Sequence, residues 1–191
     1  MLKIIMALLL ILSVISTTAA VSPLVANSQT NNNTLKSQDL DIEKNKKIIV
    51  EFTNAINSRN LTAIDNLVAK NIIEHRPGAG QGIEATKGFL MALQSAFPDF
   101  KTLLTQTIAE GDKIVVFTNT TGTMKGPFMF APGVRPTGKI YSFQTADLYR
   151  IENGKIAEHW DVIEIMDMLQ KMGAIKFITP SSPNANPLPS G

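Results

Sequence analysis

Two aspartates and a histidine near the C-terminal end of the chain are the residues best suited to do chemistry. Asp147, His159 and Asp161 lie in largely apolar segments on either side of the dipeptide Asn153-Gly154. Carboxyl and imidazole groups are common general acids and bases, and an apolar setting raises the pKa of a carboxyl group toward neutrality. If the three side chains meet, they could remove and return a proton next to a carbonyl group.

Whether these residues meet depends on the register of a β-hairpin. The sequence predicts two antiparallel strands within residues 142–163, because Asn-Gly between runs rich in aromatic and β-branched residues is a strong hairpin signal. A two-residue turn would pair Glu152 with Lys155. Asp161 would then lie on the face of the sheet opposite to Asp147, since side chains alternate along a strand.

A three-residue turn gives a different arrangement. With Gly154 as a left-handed bulge residue, Asp147 faces His159 and Thr145 faces Asp161, so both aspartates and the histidine share one face. We favour this second register, because Glu-Asn suits a type I turn and glycine suits the positive φ that follows. A slip of one residue would separate the two aspartates.

The elements that must position these residues follow from the hydrophobic period, which changes from helical to strand-like near residue 100. Helices are predicted over residues 39–58, 60–69, 81–97 and 164–172, and strands over 71–75, 100–110 and 113–123 besides the hairpin. Helices followed by antiparallel strands indicate an α+β domain. Its curved antiparallel sheet would wrap around the N-terminal helices.

A curved sheet over helices tends to leave a central pocket, and concave apolar sites of this kind hold small ligands. Four aromatic residues are candidates to line it and to bind substrate, although plain core packing is the commoner role of aromatic residues at such spacings: Phe52, Phe89, Phe143 and Tyr149. The apolar, proline-rich segment 125–137 is too long for a plain turn. It is expected to form a rim or a lid, and a self-packed surface loop or an oligomer contact is the alternative.

The ends of the chain differ in composition from its middle. Residues 1–20 combine Lys3, an apolar run and small residues in the pattern of a signal peptide, which predicts a secreted or extracytoplasmic protein, with an uncleaved membrane anchor as the alternative. Residues 21–38 are predicted to be a disordered linker and residues 179–191 a disordered tail, because the first is polar and the second rich in proline. Residues 39–178 would form one domain of ordinary size.

Composition argues against several classes of function. The formal net charge of the 191 residues is +2, so a nucleic-acid partner is not expected. With no cysteine, and with His75 and His159 far apart as the only histidines, no metal site is predicted. No glycine-rich phosphate loop follows a strand, and no nucleophile elbow is present. The remaining candidates are carboxyl and imidazole groups acting without a cofactor.

Several segments together resemble the SnoaL-like polyketide cyclases of the nuclear transport factor 2-like superfamily. The resemblance covers most of residues 43–175. Four segments carry it: Asn54-Ala-Ile-Asn-Ser-Arg-Asn-Leu-Thr-Ala-Ile64, Glu74-His-Arg-Pro-Gly78, Ala96-Phe-Pro-Asp-Phe100 and Asp147-Leu-Tyr-Arg-Ile-Glu-Asn-Gly-Lys-Ile-Ala-Glu-His-Trp-Asp-Val-Ile163. It implies a cone of curved antiparallel sheet around helices, usually dimeric through the sheet. It also implies ring closure by intramolecular aldol condensation without a cofactor.

The resemblance also implies roles for individual residues. In the family an aspartate on the last strands serves as acid and base, and Asp161 matches it along the motif. Asp147 matches a pocket position on the preceding strand that can be histidine in those cyclases. Apart from the resemblance, an aldol closure needs a hydrogen bond to the enolate oxygen, which His75 or His159 could donate; a structural role is the alternative for each histidine. As an alternative, Asp161 pairs structurally with His159 or Arg150.

Three functions are compatible with these expectations. The first is a cofactor-free cyclase, isomerase or lyase acting on a small apolar carbonyl compound, working as a homodimer. The alternative is a secreted, non-catalytic binding module that holds a small hydrophobic ligand in the same pocket. A dimeric interaction domain with a filled pocket is a third interpretation. Because function depends on the site and not on the fold, geometry must separate them.

Overall fold

The computed structural model describes residues 23–176, with side chains from residue 34 onward. The predicted signal peptide and C-terminal tail lie outside the described residues. The described chain divides into two units, with the boundary between Lys36 and Ser37. Nine helices and strands are described: α1 Pro23–Ser58, α2 Leu61–Leu67, β1 Val68–Glu74, α3 Ile83–Ala96, β2 Lys101–Glu110, β3 Lys113–Thr123, β4 Ile140–Glu152, β5 Lys155–Glu164 and α4 Met166–Met172.

The helix ends follow local signals in the sequence. Asn60 caps α2, where its side chain accepts a hydrogen bond of 3.0 Å from the backbone N–H of Ala63. Helix α4 ends at Gly173, whose φ of 75° is the left-handed conformation that glycine adopts without strain. Helix α3 ends just before Phe97, and Pro98 follows, which disfavours continuation of the helix.

Helix α1 is longer than the sequence predicted. It begins at Pro23 instead of Asp39, so residues 23–38 of the predicted disordered linker are helical in the structure. A helix closes its backbone hydrogen bonds within itself, and each added residue lengthens an existing helix at little cost. Polarity therefore argued against packing of this segment, but it did not exclude helical backbone structure.

The strands form one curved, unclosed sheet in the order β1-β5-β4-β3-β2. The predicted α+β class with N-terminal helices is confirmed. The sheet is mixed, however, because β1 pairs in parallel with β5, whereas an antiparallel sheet was predicted. Short turns join β2 to β3 and β4 to β5 and make each pair antiparallel. Most of the folded chain separates β1 from β5, so no local signal sets the direction of β1.

Neither predicted register of the β4–β5 hairpin holds along its whole length. The favoured three-residue turn is wrong, whereas the alternative two-residue turn is correct at the turn, where Glu152 pairs with Lys155. The turn has two residues, Asn153 and Gly154, with φ of 51° and 74°, as in the type I′ turns that match the twist of a hairpin. An irregularity follows, since Ile151 pairs with Ile156 but Arg150 pairs with Glu158, which leaves one extra residue on β5.

This bulge shifts all later pairs by one residue. Asp147 therefore lies directly opposite Asp161, and Tyr149 lies opposite His159. Side chains alternate along each strand, so Asp147, His159 and Asp161 lie on the same face. The predicted common face is present, although the turn that was expected to produce it is not.

Two apolar clusters form the core of the second unit. One joins α1, α2 and the concave side of the sheet around Ile49, Ile64 and Ile156, which are at most 1% exposed. The other joins the end of α3, the segment after β3 and α4 around Phe100 and Met124. Among residues 23–176, no helix is apolar over a length sufficient to cross a bilayer.

Candidate functional site

A cavity of about 340 Å³ opens between the concave face of the sheet and the helices, in the size range of small-molecule sites. Most of its lining is apolar and comes from both core clusters, for example Ile72, Leu90 and Leu93. The charged side chains of the lining contact one another in two groups, and they come from β1, the turn after it, β4 and β5: Glu74, Arg76, Asp147, His159 and Asp161.

His159 lies between two carboxylates. Its Nδ1 is 2.8 Å from Oε2 of Glu74, and its Nε2 is 3.2 Å from Oδ1 of Asp147. Its ring stacks on Tyr149, with centroids 4.7 Å apart and planes within 10°. Burial by itself would lower the pKa of His159, but the hydrogen bonds and negative charges of Asp147 and Glu74 outweigh it and raise the pKa to about 9. The ring is therefore protonated at neutral pH.

Asp147 is 8% exposed and both of its carboxylate oxygens accept hydrogen bonds. Oδ1 accepts from His159, and Oδ2 accepts from the hydroxyl of Thr145. Because the Thr145 hydroxyl donates its proton to Asp147, the Thr118 hydroxyl, 2.7 Å away, must donate to Thr145. This chain of donors holds the Asp147 carboxylate in one orientation.

Asp161 is bound on one side only. Its Oδ2 accepts a hydrogen bond of 2.6 Å from the Arg76 guanidinium, which lies 4.4 Å from the ring centroid of Phe89. The Asp161 side chain is 4% exposed, and its Oδ1 is buried with no hydrogen-bond partner among residues 34–176. Buried polar atoms without a partner are rare and costly in native proteins, so Asp161 is the least satisfied of the described polar side chains that line the cavity.

Tyr149 contributes an apolar ring to the same wall. It contacts Phe52 edge to face, with centroids 5.9 Å apart. Burial, together with the negative charges of Asp147, Glu74 and Asp161, raises the pKa of Tyr149 well above its usual value. Tyr149 is therefore a neutral phenol at any physiological pH, and it supports the His159 ring by stacking.

The structure brings most of the predicted site residues together. Asp147, His159 and Asp161 line the cavity, and so do all four aromatic residues that were predicted to bind substrate, Phe52, Phe89, Phe143 and Tyr149.

His75 is the exception, because it does not line the cavity. Its Nε2 is 2.8 Å from Oε2 of Glu158, and its ring stacks on Trp160 with centroids 3.9 Å apart. Glu158 and Trp160 lie on the opposite face of β5 from His159 and Asp161. His75 is therefore not placed to donate to a ligand in the cavity, since the neighbouring Glu74 takes the inward position. Trp160 is half-buried in this stack.

Two residues of the site, Glu74 and Arg76, were not singled out from the sequence. Both belong to the motif Glu74-His-Arg-Pro-Gly78, which contributed only to the resemblance. Alternation along β1 carries the signal for Glu74, because the buried Ile72 lies two residues before it. A carboxylate at an inward position of a strand is a candidate functional group even without a recognisable motif.

The segment after β3 forms a rim of the cavity. Its Phe128 is 2% exposed in the second core cluster, while Met129 and Phe130 line the cavity. The backbone N–H of Gly126 donates to the carbonyl oxygen of Ala96 at 3.1 Å, which fixes the start of the rim to the end of α3. The rim interpretation therefore fits, with part of the segment packed as in the alternative.

The donor set of the cavity does not form a metal site in the described part of the chain. No three histidine, aspartate or glutamate side chains there converge as metal coordination requires. The nitrogens of His159 both face carboxylates, and Asp161 is bound by Arg76. The site offers acid, base and hydrogen-bonding groups next to an apolar surface.

Comparison with known proteins gives a consistent picture. A sequence model described as SnoaL-like polyketide cyclase matches residues 47–172. No curated protein matches the chain in sequence.

Solved structures are similar over most of their length. AclR of Streptomyces galilaeus, described as a putative hydroxylase, is 26% identical, with a TM-score of 0.64 over 73% of this chain and 91% of AclR. IdmH of Streptomyces antibioticus, described as a putative polyketide cyclase, is 27% identical, with a TM-score of 0.60 over 68% of this chain and 98% of IdmH. A SnoaL-like protein of Jannaschia sp. CCS1, 21% identical, has a TM-score of 0.62 over 70% of this chain and 94% of its own, and shows the shared fold alone.

Proposed function

The chain belongs to the SnoaL-like polyketide cyclase family, and from this premise we propose that its cavity is the active site of a cofactor-free acid-base enzyme. The enzyme would close a ring in, isomerise or cleave a small apolar carbonyl compound. The observation that carries the proposal is a buried carboxylate with an unpartnered oxygen, Asp161, next to a second aspartate in an apolar cavity.

Asp161 is the group that would move the proton. Both oxygens of Asp147 already accept hydrogen bonds, whereas Oδ1 of Asp161 has none and is shielded from water. In an aldol closure, Asp161 takes the proton from the carbon next to the first carbonyl group. The resulting enolate carbon then forms a bond to the second carbonyl carbon, and the new alkoxide recovers the proton from Asp161.

Arg76 would stabilise the enolate. Its guanidinium is the one cation of the cavity lining, within the described chain, that is not enclosed by two carboxylates. A guanidinium has five N–H donors, and one hydrogen bond to Asp161 leaves others for an oxyanion. His159 cannot serve in this way without giving up a bond to Glu74 or Asp147, so the earlier expectation of His159 as the donor is replaced by Arg76.

A conservative substitution tests the assignment of Asp161. Asp161→Asn should abolish turnover of compounds with two carbonyl groups spaced for ring closure, followed by absorbance of the cyclised product, while binding of the same compounds persists. Asp167→Asn is the matched control, because Asp167 lies on α4 with a side chain 65% exposed. Full activity of Asp161→Asn would refute its role as the proton-transferring group.

A non-catalytic binding module is the second candidate. It is favoured by the internal pairing of many polar groups in the wall, including the hydroxyls of Thr102 and Thr120, 2.8 Å apart. An apolar wall with satisfied polar groups holds a hydrophobic ligand without reacting with it. Native mass spectrometry of the purified protein should then show a retained small molecule, and a persistently empty cavity would count against this function.

A homodimer through the convex face of the sheet is also proposed. Four large apolar side chains, from β2, β3 and β5, lie on that face and are 40–72% exposed: Leu103, Ile108, Phe117 and Val162. An exposed apolar patch of this kind is typical of protein interfaces. Light scattering should give twice the chain mass for the natural protein and the single mass for Val162→Glu. A natural protein that stays monomeric at high concentration would refute the dimer.

Export from the cytoplasm is proposed from residues 1–20, which lie outside the described residues. The apolar run followed by small residues supports it. N-terminal sequencing of the protein recovered from its native host should begin near residue 21. A protein that keeps Met1 and remains in the cytoplasm would contradict the proposal.

A further inference from the structure

Glu74 occupies a position for which the reaction proposed above has no direct use. Its carboxylate is 8% exposed and lies 2.8 Å from Nδ1 of His159, on the side of the ring away from Asp147. We propose that Glu74 is a positioning residue, which keeps His159 doubly protonated so that the ring holds the Asp147 carboxylate beside Asp161. The effect on turnover depends on the proposed function, whereas the protonation of His159 does not.

The geometry requires two protons on the His159 ring. Carboxylate oxygens accept hydrogen bonds and do not donate them, and a neutral imidazole has only one N–H. Since Nδ1 faces Glu74 and Nε2 faces Asp147, both contacts are hydrogen bonds only if both nitrogens carry protons. A neutral ring would place a lone pair against one of the two carboxylates.

Glu74 is itself held in place from several sides. Pairing of β1 with β5 puts Glu74 opposite His159, and the Gln81 amide accepts from the Glu74 N–H at 3.0 Å and donates to its carbonyl oxygen at 2.8 Å. The Thr86 hydroxyl lies 3.4 Å from Oε1 of Glu74. A carboxylate on a fixed backbone gives the imidazolium a fixed partner.

The positive charge of the protonated His159 ring offsets repulsion in the cavity, because two aspartates lie side by side there. Asp147 and Asp161 are directly opposite one another on β4 and β5, and two carboxylates on paired positions of neighbouring strands repel each other. Each is offset by one cation, Asp161 by Arg76 and Asp147 by His159. The charged and titratable groups that surround the His159 ring within the described chain are Glu74, Asp147, Asp161, Arg76 and the neutral Tyr149.

Without the charge of Glu74, only Asp147 would remain to hold the second proton on His159. We therefore expect Glu74→Gln to lower the titration midpoint of His159 by about 1 to 3 pH units, the usual effect of one adjacent opposite charge. Near neutral pH the ring would then lose its charge, and the repulsion between Asp147 and Asp161 would no longer be offset on the Asp147 side. The alkaline limb of the pH profile of kcat should move to lower pH by a similar amount.

The chain offers a matched control, because its two histidines each pair with a different glutamate. His75 contacts Glu158 on the opposite face of the sheet, 2.8 Å away. In a titration followed by NMR of the imidazole groups, Glu74→Gln should lower the midpoint of His159. Glu158→Gln, which removes a carboxylate on the opposite face of the sheet, should leave the midpoint of His159 unchanged. An unchanged His159 midpoint in folded Glu74→Gln would overturn the proposal.

A second measurement decides the question even if Glu74→Gln does not fold. In the natural protein at pH 7.5, the nitrogen chemical shifts of His159 should show protons on both Nδ1 and Nε2. A single-proton tautomer at this pH would overturn the proposal whatever the variant does. Neither NMR measurement needs a substrate. A protein without turnover would therefore refute the proposed reaction, while the NMR results alone would decide whether Glu74 keeps His159 protonated.

Discussion

The raised pKa of His159 links the stability of the fold to pH. The ordinary pKa of 6.5 applies to the unfolded chain, whereas hydrogen bonds and charges from Asp147 and Glu74, working against burial, raise the folded value to about 9. Between these values the folded protein holds a proton that the unfolded chain has released. The contribution to stability is therefore fully present below pH 6.5 and is lost as the pH rises through 9.

The size of this effect follows from the two pKa values. At 1.36 kcal/mol per pH unit, the difference between 6.5 and about 9 corresponds to about 3 kcal/mol of unfolding free energy. More than half of it should be lost between pH 7 and pH 9. Because typical domains are stable by only about 5–15 kcal/mol, such a loss is large enough to measure easily.

Urea unfolding at several pH values from 7 to 10 measures the loss. With a slope of about 1–3 kcal/mol per M, the urea midpoint of the natural protein should fall by about 1 M or more across this range. His159→Gln, which has no group titrating at this position, should show a much smaller fall, and the difference between the two proteins isolates the contribution of His159. Equal falls in the two proteins would refute the assignment of a raised pKa to His159.

Three further substitutions test other parts of the site and its frame. Arg76→Met leaves the Asp161 carboxylate buried without its partner. It should lower the free energy of unfolding, measured in urea, by about 3 kcal/mol. A loss below about 0.5 kcal/mol would show that the pair is not buried as described. Gly126→Ala should lower the melting temperature, because a Cβ there would collide with the carbonyl oxygen of Ser95. Gly88 lies in the middle of α3 with open space around the position of a Cβ, so Gly88→Ala should raise the free energy of unfolding by about 0.5–1 kcal/mol. Equal effects of the two glycine substitutions would contradict the close approach of the rim to α3.

Local signals were sufficient for most of the secondary structure. Strand β3 spans Lys113–Thr123, as predicted from its alternating pattern, and the helix predicted over residues 60–69 is α2, which Asn60 caps. The helix predicted over residues 81–97 spans Ile83–Ala96. In each case the cause lies within a few residues of the element, as a side-chain cap, a glycine or proline, or a periodic apolar face.

Interactions between distant segments were not predictable in the same way. Asn153-Gly154 correctly predicted a hairpin, but the irregularity on β5 near Ile156 that restores the common face of Asp147 and Asp161 has no separate signal in the sequence. A bulge depends on how the strand twists against its neighbours, so the sheet decides its position. The parallel pairing of β1 with β5 also depends on contacts between segments that are distant in sequence.

The sequence by itself determined the kinds of groups available to this protein: two aspartates and a histidine on one hairpin, in a domain with an apolar pocket and without cysteine. Tertiary structure alone decided which of them meet. It placed Glu74 against His159 and turned His75 to the opposite face, because a parallel pairing across the chain set the register of β1. It also left one oxygen of Asp161 without a partner, since burial and distance in space, which the order of residues does not encode locally, govern such contacts.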